Sequence, residues 1–414
     1  HSTTRASDIP MAMKVGIVGQ GCAGMSVAYH LLRNANARNA PLRLELDVID
    51  AHPLGYGATG VAAGLLHPLA PSGKPLWQGM ASYEKAAALV RDAGDGFWRS
   101  TGLYRPASTD KQRRQFERNI GWEPRDALLG ARCTEPDGGF YIPQGMVVDT
   151  KRYLEALWDR CSGLAEEHGS TISARRARIE SLDDLQAYDA TVIAAGAAVQ
   201  EIAELRDAMT LDLCQGYTVE LVRRRDYAPT GRSEARNDAD TYASSTSSSA
   251  AVASPSSSPS APLSILGQPY VAFHSSQRAI VGATQRHGVS SAEAFDVISR
   301  GLDDPSEPAA EAADSLVRAA RDVAPALTDG AWDVRAVRCG VRAIPQRTEL
   351  GSIPYGGKVD GRNCWVIAGL GARGLVYHAV MGELTAAALL DGLDNEAAFA
   401  ARGFGQTLRW LKSR

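Results

Sequence analysis

The sequence predicts an α/β fold: a Rossmann-like domain, discontinuous along the chain, interleaved with an α+β domain built on a mostly antiparallel sheet. Three observations predict it. An apolar run, Val15 to Val18, leads directly into a glycine turn at Gly19, Gly21 and Gly24. A second glycine turn lies near the other end of the chain, at Gly369, Gly371 and Gly374. Between them stand β-like apolar runs such as "GYTVELV" (Gly216 to Val222) and "PYVAF" (Pro269 to Phe273).

The first turn carries most of the information. Three glycines at GxGxxG spacing are weak alone: with 40 glycines in 414 residues, such a triplet arises by chance about 0.4 times per chain. Its surroundings supply the missing weight. Helical periodicity follows through Met25, Ala28, Leu31 and Leu32, and a second apolar run, Leu42 to Asp50, ends in a carboxylate. Strand, turn, helix and strand complete a βαβ unit of the kind that binds a dinucleotide, FAD or NAD. Gly19 permits the tight turn, Gly21 lets backbone approach a pyrophosphate, and Gly24 allows the helix to pack closely. The helix N-terminus attracts the phosphates, and Asp50 accepts hydrogen bonds from the adenosine ribose.

The serine tract comes next in clarity. From Ser244 to Ser260, ten of seventeen residues are serine, broken by Pro255 and Pro259. With so little to bury, the segment 227–262 is expected to be a disordered insertion between two strands of one sheet, and residues 1–12 a disordered N-terminal segment. "HSTTRAS" at the start reads either as the remnant of an organelle transit peptide or as a cloning scar.

The second glycine turn decides between cofactors. It follows the strand-like run Trp365 to Ala368, and only 40 residues lie beyond Gly374. That is room for one helix, Val376 to Leu390, and a tail, with no further strand carrying a ribose acid. The strand and helix are therefore expected to return to the first sheet and aim a second helix N-terminus at the same dinucleotide. Such a positive end suits the anionic reduced ring of a flavin.

Composition sets the outer bounds. Hydrophobic residues make up 44% and charged residues 22%, ordinary globular values that exclude a fibrous or wholly disordered chain. A net charge of −3 gives no global attraction to nucleic acid or an anionic membrane. No apolar stretch approaches the roughly 18 residues of a membrane span, so the protein is read as soluble. Six cysteines without a CxxC pair argue against a zinc ribbon and a redox dithiol, and no metal site is expected. Reduced thiols imply a reducing intracellular compartment: an organelle, chloroplast or mitochondrion, if the N-terminus is a transit remnant, otherwise the cytoplasm.

Taken together, these motifs resemble the D-amino-acid oxidase and glycine oxidase (DAO) family of FAD-dependent oxidoreductases. "GATGVAAGLLHP" (Gly57 to Pro68) is similar to the family's small-residue loop beside the flavin, and "DATVIAAGA" (Asp189 to Ala197) to the strand that closes on FAD. "CQGYTVEL", "IVGATQ" and "CGVRAIPQ" (Cys339 to Gln346) resemble three further family strands in the correct order. In members that bond flavin to a histidine of the early loop, that histidine aligns with Val61, so FAD is expected to be held non-covalently. Ala343 stands where the family's Gly-x-Arg-Pro element has proline.

The resemblance implies an FAD-binding domain from 13–80, 145–205 and 335–392, and a substrate domain from 81–144 and 206–334. It implies oxidation of a C–N bond in a small amino acid or secondary amine: hydride transfer to flavin N5, imine hydrolysis, and reoxidation by oxygen or by a protein or quinone acceptor. Cofactor contacts fall to Gly19, Gly21, Gly24, Asp50, Thr59, Gly60, Ala195, Gly196, Gly369, Gly371, Arg373, Gly374 and Leu375. Arg342 matches the arginine that clamps a substrate carboxylate, with a structural salt bridge as the alternative. His67 either faces the active site or packs beside Pro68. Thr59 gives its hydroxyl to a phosphate or the flavin ring, or is a plain turn residue. Arg373 either neutralises reduced flavin or is exposed. Tyr217 and Tyr270 fall on strands expected to line the pocket, as wall or rim aromatics, and the basic run Arg175 to Arg178 reads as a solvated loop. Two rival functions remain: the oxidase half of a tRNA wobble-uridine modifying enzyme, disfavoured by the charge and by the absence of a methyltransferase domain, and a flavoprotein that assembles partners without turnover. The oligomeric state is left open.

Overall fold

The first apolar run, whose Val15, Ile17 and Val18 are buried, becomes a central strand in the computed structural model, which describes residues 12–38, 42–224, 261–300 and 303–413. Apart from Ala12, Ala261 and Pro262, the two segments expected to be disordered lie outside the described residues. Two sheets organise the rest. In chain order their strands are β1 Met13–Val18, β2 Leu44–Asp50, β3 Leu103–Arg105, β4 Arg132–Thr134, β5 Gly139–Ile142, β6 Thr171–Arg176 and β7 Ala190–Ile193. Then follow β8 Leu211–Arg223, β9 Ser264–Ile265, β10 Tyr270–Ser275, β11 Arg278–Gly282, β12 Trp332–Pro345, β13 Tyr355–Lys358 and β14 Cys364–Ala368. The basic run at Arg175, expected as loop, instead ends β6.

The six-stranded sheet has the order β13-β14-β7-β1-β2-β6, parallel throughout except for the β13–β14 pair. β14 thus brings the C-terminal glycine turn to the sheet that β1 began, with Ile193 level with Val366. The eight-stranded sheet has the order β12-β8-β11-β10-β9-β3-β5-β4, antiparallel except where β9 meets β3. Its longest pairing runs from Leu211 opposite Pro345 to Arg223 opposite Trp332, with an irregularity at Glu220 and Leu221. The chain leaves this sheet at β8 and re-enters it at β9, on either side of the serine tract.

Four helices position the site: α1 Cys22–Asn36, α2 Thr150–Glu167, α3 Glu307–Val323 and α4 Gly374–Asp391. α4 is apolar nearly all round, and a helix of that kind is buried. It lies against α1, where a Cβ at Gly382 would stand 2.3 Å from Ser26 Oγ. Among the described residues no helix is long and apolar enough to cross a membrane. α3 covers the antiparallel sheet, burying Ala313, Leu316 and Ala320 against Val219, Val271 and Phe273.

A buried ionic node joins α2 to that sheet. Asp149, the N-cap of α2, accepts from Arg152 N at 3.3 Å and pairs with Arg278 Nη1 at 2.5 Å. Arg278 Nε reaches Glu220 Oε1 at 2.7 Å, and Glu220, only 2% exposed, also pairs with Arg338. Burial alone would raise the Glu220 carboxyl, but Arg278, then Arg338 and Arg335, hold it below the usual range.

Candidate functional site

The nucleotide end of the site is made by backbone. Gly19 has φ +110°, a conformation that disfavours any side chain, and a Cβ there would stand 2.3 Å from Ala194 O. A Cβ on Gly24 would fall 1.9 Å from Gly19 O, so helix and turn touch through this glycine rather than through a ligand. Gly21 caps α1 without a side chain, leaving helix N–H groups directed at the cleft. Thr59 Oγ1 accepts the Cys22 N–H at 3.2 Å, so its hydroxyl first serves the helix end and keeps its own proton to donate. Asp50 closes β2 beside this turn, with Oδ2 accepting from Gln20 N at 2.8 Å and Oδ1 from His52 N at 2.9 Å. Gly60 does not line the cleft: a Cβ there would strike Gly55 O at 1.7 Å, which makes it the glycine of a tight loop.

The C-terminal turn meets the first one. Gly369 and Gly371 have φ +65° and +54°, and α4 starts at Gly374 with no side-chain cap. A Cβ on Gly374 would lie 3.8 Å from Cys22 Sγ, so the N-termini of α1 and α4 adjoin. Their positive ends converge on a single cleft of about 380 Å³, which Ala195, Gly196 and Leu375 also line. Uncapped helix ends, glycines that a Cβ would obstruct and a backbone-fixed carboxylate form a cradle that fits a dinucleotide.

The other end of the cleft is made by side chains. Arg342 on β12 lines it, and among the described residues its polar contact is the Cys214 sulfur at 4.0 Å, with no carboxylate. Tyr270, on β10, faces the same space, and burial pushes its hydroxyl up to about 12. His67 is 3% exposed. Burial, then the Arg373 and Arg105 guanidiniums, hold its imidazole well below 6.5. Its Nδ1 accepts from Leu69 N at 3.3 Å, which leaves the ring proton on Nε2: His67 is a neutral donor. Arg373 is partly buried on the cleft rather than free in solvent.

One expected wall residue is elsewhere. Gly216 and Thr218 of β8 line the cleft, so Tyr217 between them lies on the opposite face by the alternation of a strand. Its hydroxyl sits with Asp304, Ser306 and Gln215. Conversely, Arg105 at the end of β3 lines the cleft, and no motif pointed to it. No cluster of three metal-ligating side chains occurs among the described residues, and all six cysteines are buried and unpaired.

Comparison with known proteins gives the family and the fold. The model of one protein family, FAD dependent oxidoreductase (DAO), matches residues 14–388. No curated protein sequence matches the chain. Several solved structures share the fold. Iminodiacetate oxidase from Chelativorans sp. BNC1 is 20% identical with a TM-score of 0.60, covering 92% of this chain and 96% of that one. Glycine oxidase from Bacillus cereus ATCC 14579 is 16% identical with a TM-score of 0.62, covering 93% and 97%. L-α-glycerophosphate oxidase from Mycoplasma pneumoniae, a structure with FAD bound, is 14% identical with a TM-score of 0.60, covering 92% and 95%.

Proposed function

Because the chain belongs to the DAO family of FAD-dependent oxidoreductases, we propose that it oxidises a C–N bond in a small amino acid or secondary amine. FAD bound along the cleft would accept the hydride of the substrate C–H bond and pass the electrons to oxygen or another acceptor. The glycine turns at Gly19, Gly21, Gly369 and Gly371, with Asp50 and Thr59, would hold the dinucleotide part. Ala195, Gly196, Gly374, Leu375 and Arg373 on the same cleft would border the ring, and Val61 on the early loop offers no side chain for a covalent bond.

The observation that carries this reading is Arg342. A guanidinium on a ligand cleft without a carboxylate partner is a bidentate receptor for a substrate carboxylate. Held there, the substrate presents one C–H bond in a fixed orientation, and positioning of this kind accounts for much of a barrier reduction. The amine reacts in its neutral form, and the guanidiniums of Arg105, Arg342 and Arg373 around it disfavour the ammonium by like-charge repulsion. His67, already neutral and donating from Nε2, adds no positive charge to that field.

The test is direct. The purified protein should show a flavin spectrum in the visible range, and anaerobic mixing with amino acids and N-substituted amino acids should bleach it. A protein without flavin, or a flavin band that no amine bleaches, would refute the proposal.

A further inference from the structure

The proposed reaction needs one arginine for a carboxylate and has use for a second near the flavin, but the cleft carries three. Arg105 is the one left over. It ends β3, in the antiparallel sheet, and its side chain faces the same space as His67, Tyr270 and Arg342. Its Nε is buried and has no hydrogen-bond partner among the described residues. Arg105 as a whole is half-buried, and an N–H donor taken out of water without a partner is costly unless a ligand completes the site.

Nothing else on the cleft offsets that charge. Asp50 is the one carboxylate lining it among the described residues, and it stands at the nucleotide end with both oxygens already accepting backbone N–H groups. His67 is neutral. Arg373 is a second cation, and its repulsion adds to burial in lowering the Arg105 guanidinium to about 10. The buried carboxylate of the antiparallel sheet, Glu220, is committed to Arg278 and Arg338. A substrate with one carboxylate, held by Arg342, would leave Arg105 unpaired.

Resting on the oxidase reading above, we propose that Arg105 is a second anion-binding residue and that the substrate is an amine bearing two acid groups. The second carboxylate sits either on the amino-acid side chain, as in an acidic amino acid, or on the nitrogen substituent, as in an iminodiacid. Each arginine offers a planar fork that matches one carboxylate.

The test compares matched ligands on the flavin-loaded protein and its Arg105→Met and Arg105→Lys variants. Turnover is read with glycine against iminodiacetate and with alanine against aspartate. Binding is read separately, by calorimetry and by perturbation of the flavin spectrum, with propionate against succinate. The expected result is at least a tenfold preference for the dicarboxylate in one substrate pair, and for succinate in binding. Arg105→Met should collapse that ratio to within about twofold, and Arg105→Lys should leave an intermediate value. Preference within the glycine pair places the second acid on nitrogen; preference within the alanine pair places it on the side chain. Equal binding of propionate and succinate by the unaltered protein would overturn the proposal even if an amine bleaches the flavin. So would an Arg105→Met variant that shifts the flavin potential but keeps the ligand ratio, which would assign the residue to the flavin. A succinate preference that depends on Arg105 with no amine bleaching the flavin would keep the anion subsite and reject the oxidase reading.

Discussion

At the nucleotide end of the cleft the chain presents backbone, and at the substrate end it presents side chains. Gly19, Gly21 and Gly371, with the starts of α1 and α4, make the first; Arg105, Arg342 and Tyr270, from three strands of the antiparallel sheet, and His67, from the early loop, make the second. The first kind of site resists added atoms most at Gly19, where a Cβ would stand 2.3 Å from Ala194 O, because the main chain itself is the binding surface. The second tolerates exchange of side chains and changes its ligand when they change. One end should therefore fail as a unit when altered, and the other should fail selectively.

The sharpest way to break that contrast is at Gly24. A Cβ there would meet a backbone oxygen at 1.9 Å, so Gly24→Val forces turn and helix apart and costs more than the roughly 3 kcal/mol of ordinary overpacking. The expected result is loss of bound flavin, read from visible absorbance per mole of protein. Flavin retained at full occupancy would show that the glycine turn is not the binding surface.

The ionic node comes second, since it ties α2 to the sheet that carries the substrate end. Breaking a buried pair costs about 3–5 kcal/mol, so Glu220→Ala should lower the melting temperature more than any change confined to the cleft. The pH dependence follows from the sign of the shift. The folded Glu220 carboxyl lies below its ordinary value, so its contribution is present above about pH 4.3 and is lost as pH falls through the folded value. Asp149, also held low, acts in the same window: burial opposes ionisation there, and Arg278 then His274 outweigh it. Thermal melts from pH 7 to pH 3 should show a steep fall for the native chain and a flatter one for Glu220→Ala.

At Arg342 the effect should be selective. Losing a charge-assisted hydrogen bond costs about 1.5–3 kcal/mol, so Arg342→Met should raise KM for a carboxylate-bearing amine by roughly tenfold to 150-fold with flavin content unchanged. Equal loss of flavin and of substrate affinity would erase the distinction between the two ends.

The same contrast explains what was legible in the sequence. Glycine spacing at 19–24 and 369–374 is a record of backbone geometry, because few other residues adopt φ +110° or +65°. The fold class followed from it, and the 40 residues beyond Gly374 implied that the second turn shares the first cleft. Arg105 left no such record. It lies 237 residues before Arg342 in the chain, and its place in the antiparallel sheet comes from pairings of β3 with β9 and of Arg105 itself with Phe140 of β5. Gly60 shows the converse: its need for glycine is real but internal to the loop.

The smallest effect, and the finest test, separates two tyrosines that the sequence treats alike. Both stand in apolar strand runs, but which face of a strand meets the cleft is fixed by register, and a shift of one residue reverses it. Here Gly216 is opposite Gly340 and Tyr217 opposite Cys339, which turns Gly216 to the cleft and Tyr217 to the Asp304 side. Tyr270 lines the cleft, its ring packed so that a Cβ on Gly282 would meet its hydroxyl at 2.6 Å. Tyr217→Phe removes a hydroxyl outside the cleft and should leave kcat/KM within about twofold, at a stability cost near 1 kcal/mol. Tyr270→Ala opens the cleft wall and should lower kcat/KM by more than tenfold, because a substrate no longer held on that side loses its orientation. If the two variants lose activity equally, the assignment of faces along β8 is wrong, and with it the picture of a substrate end built by strand alternation.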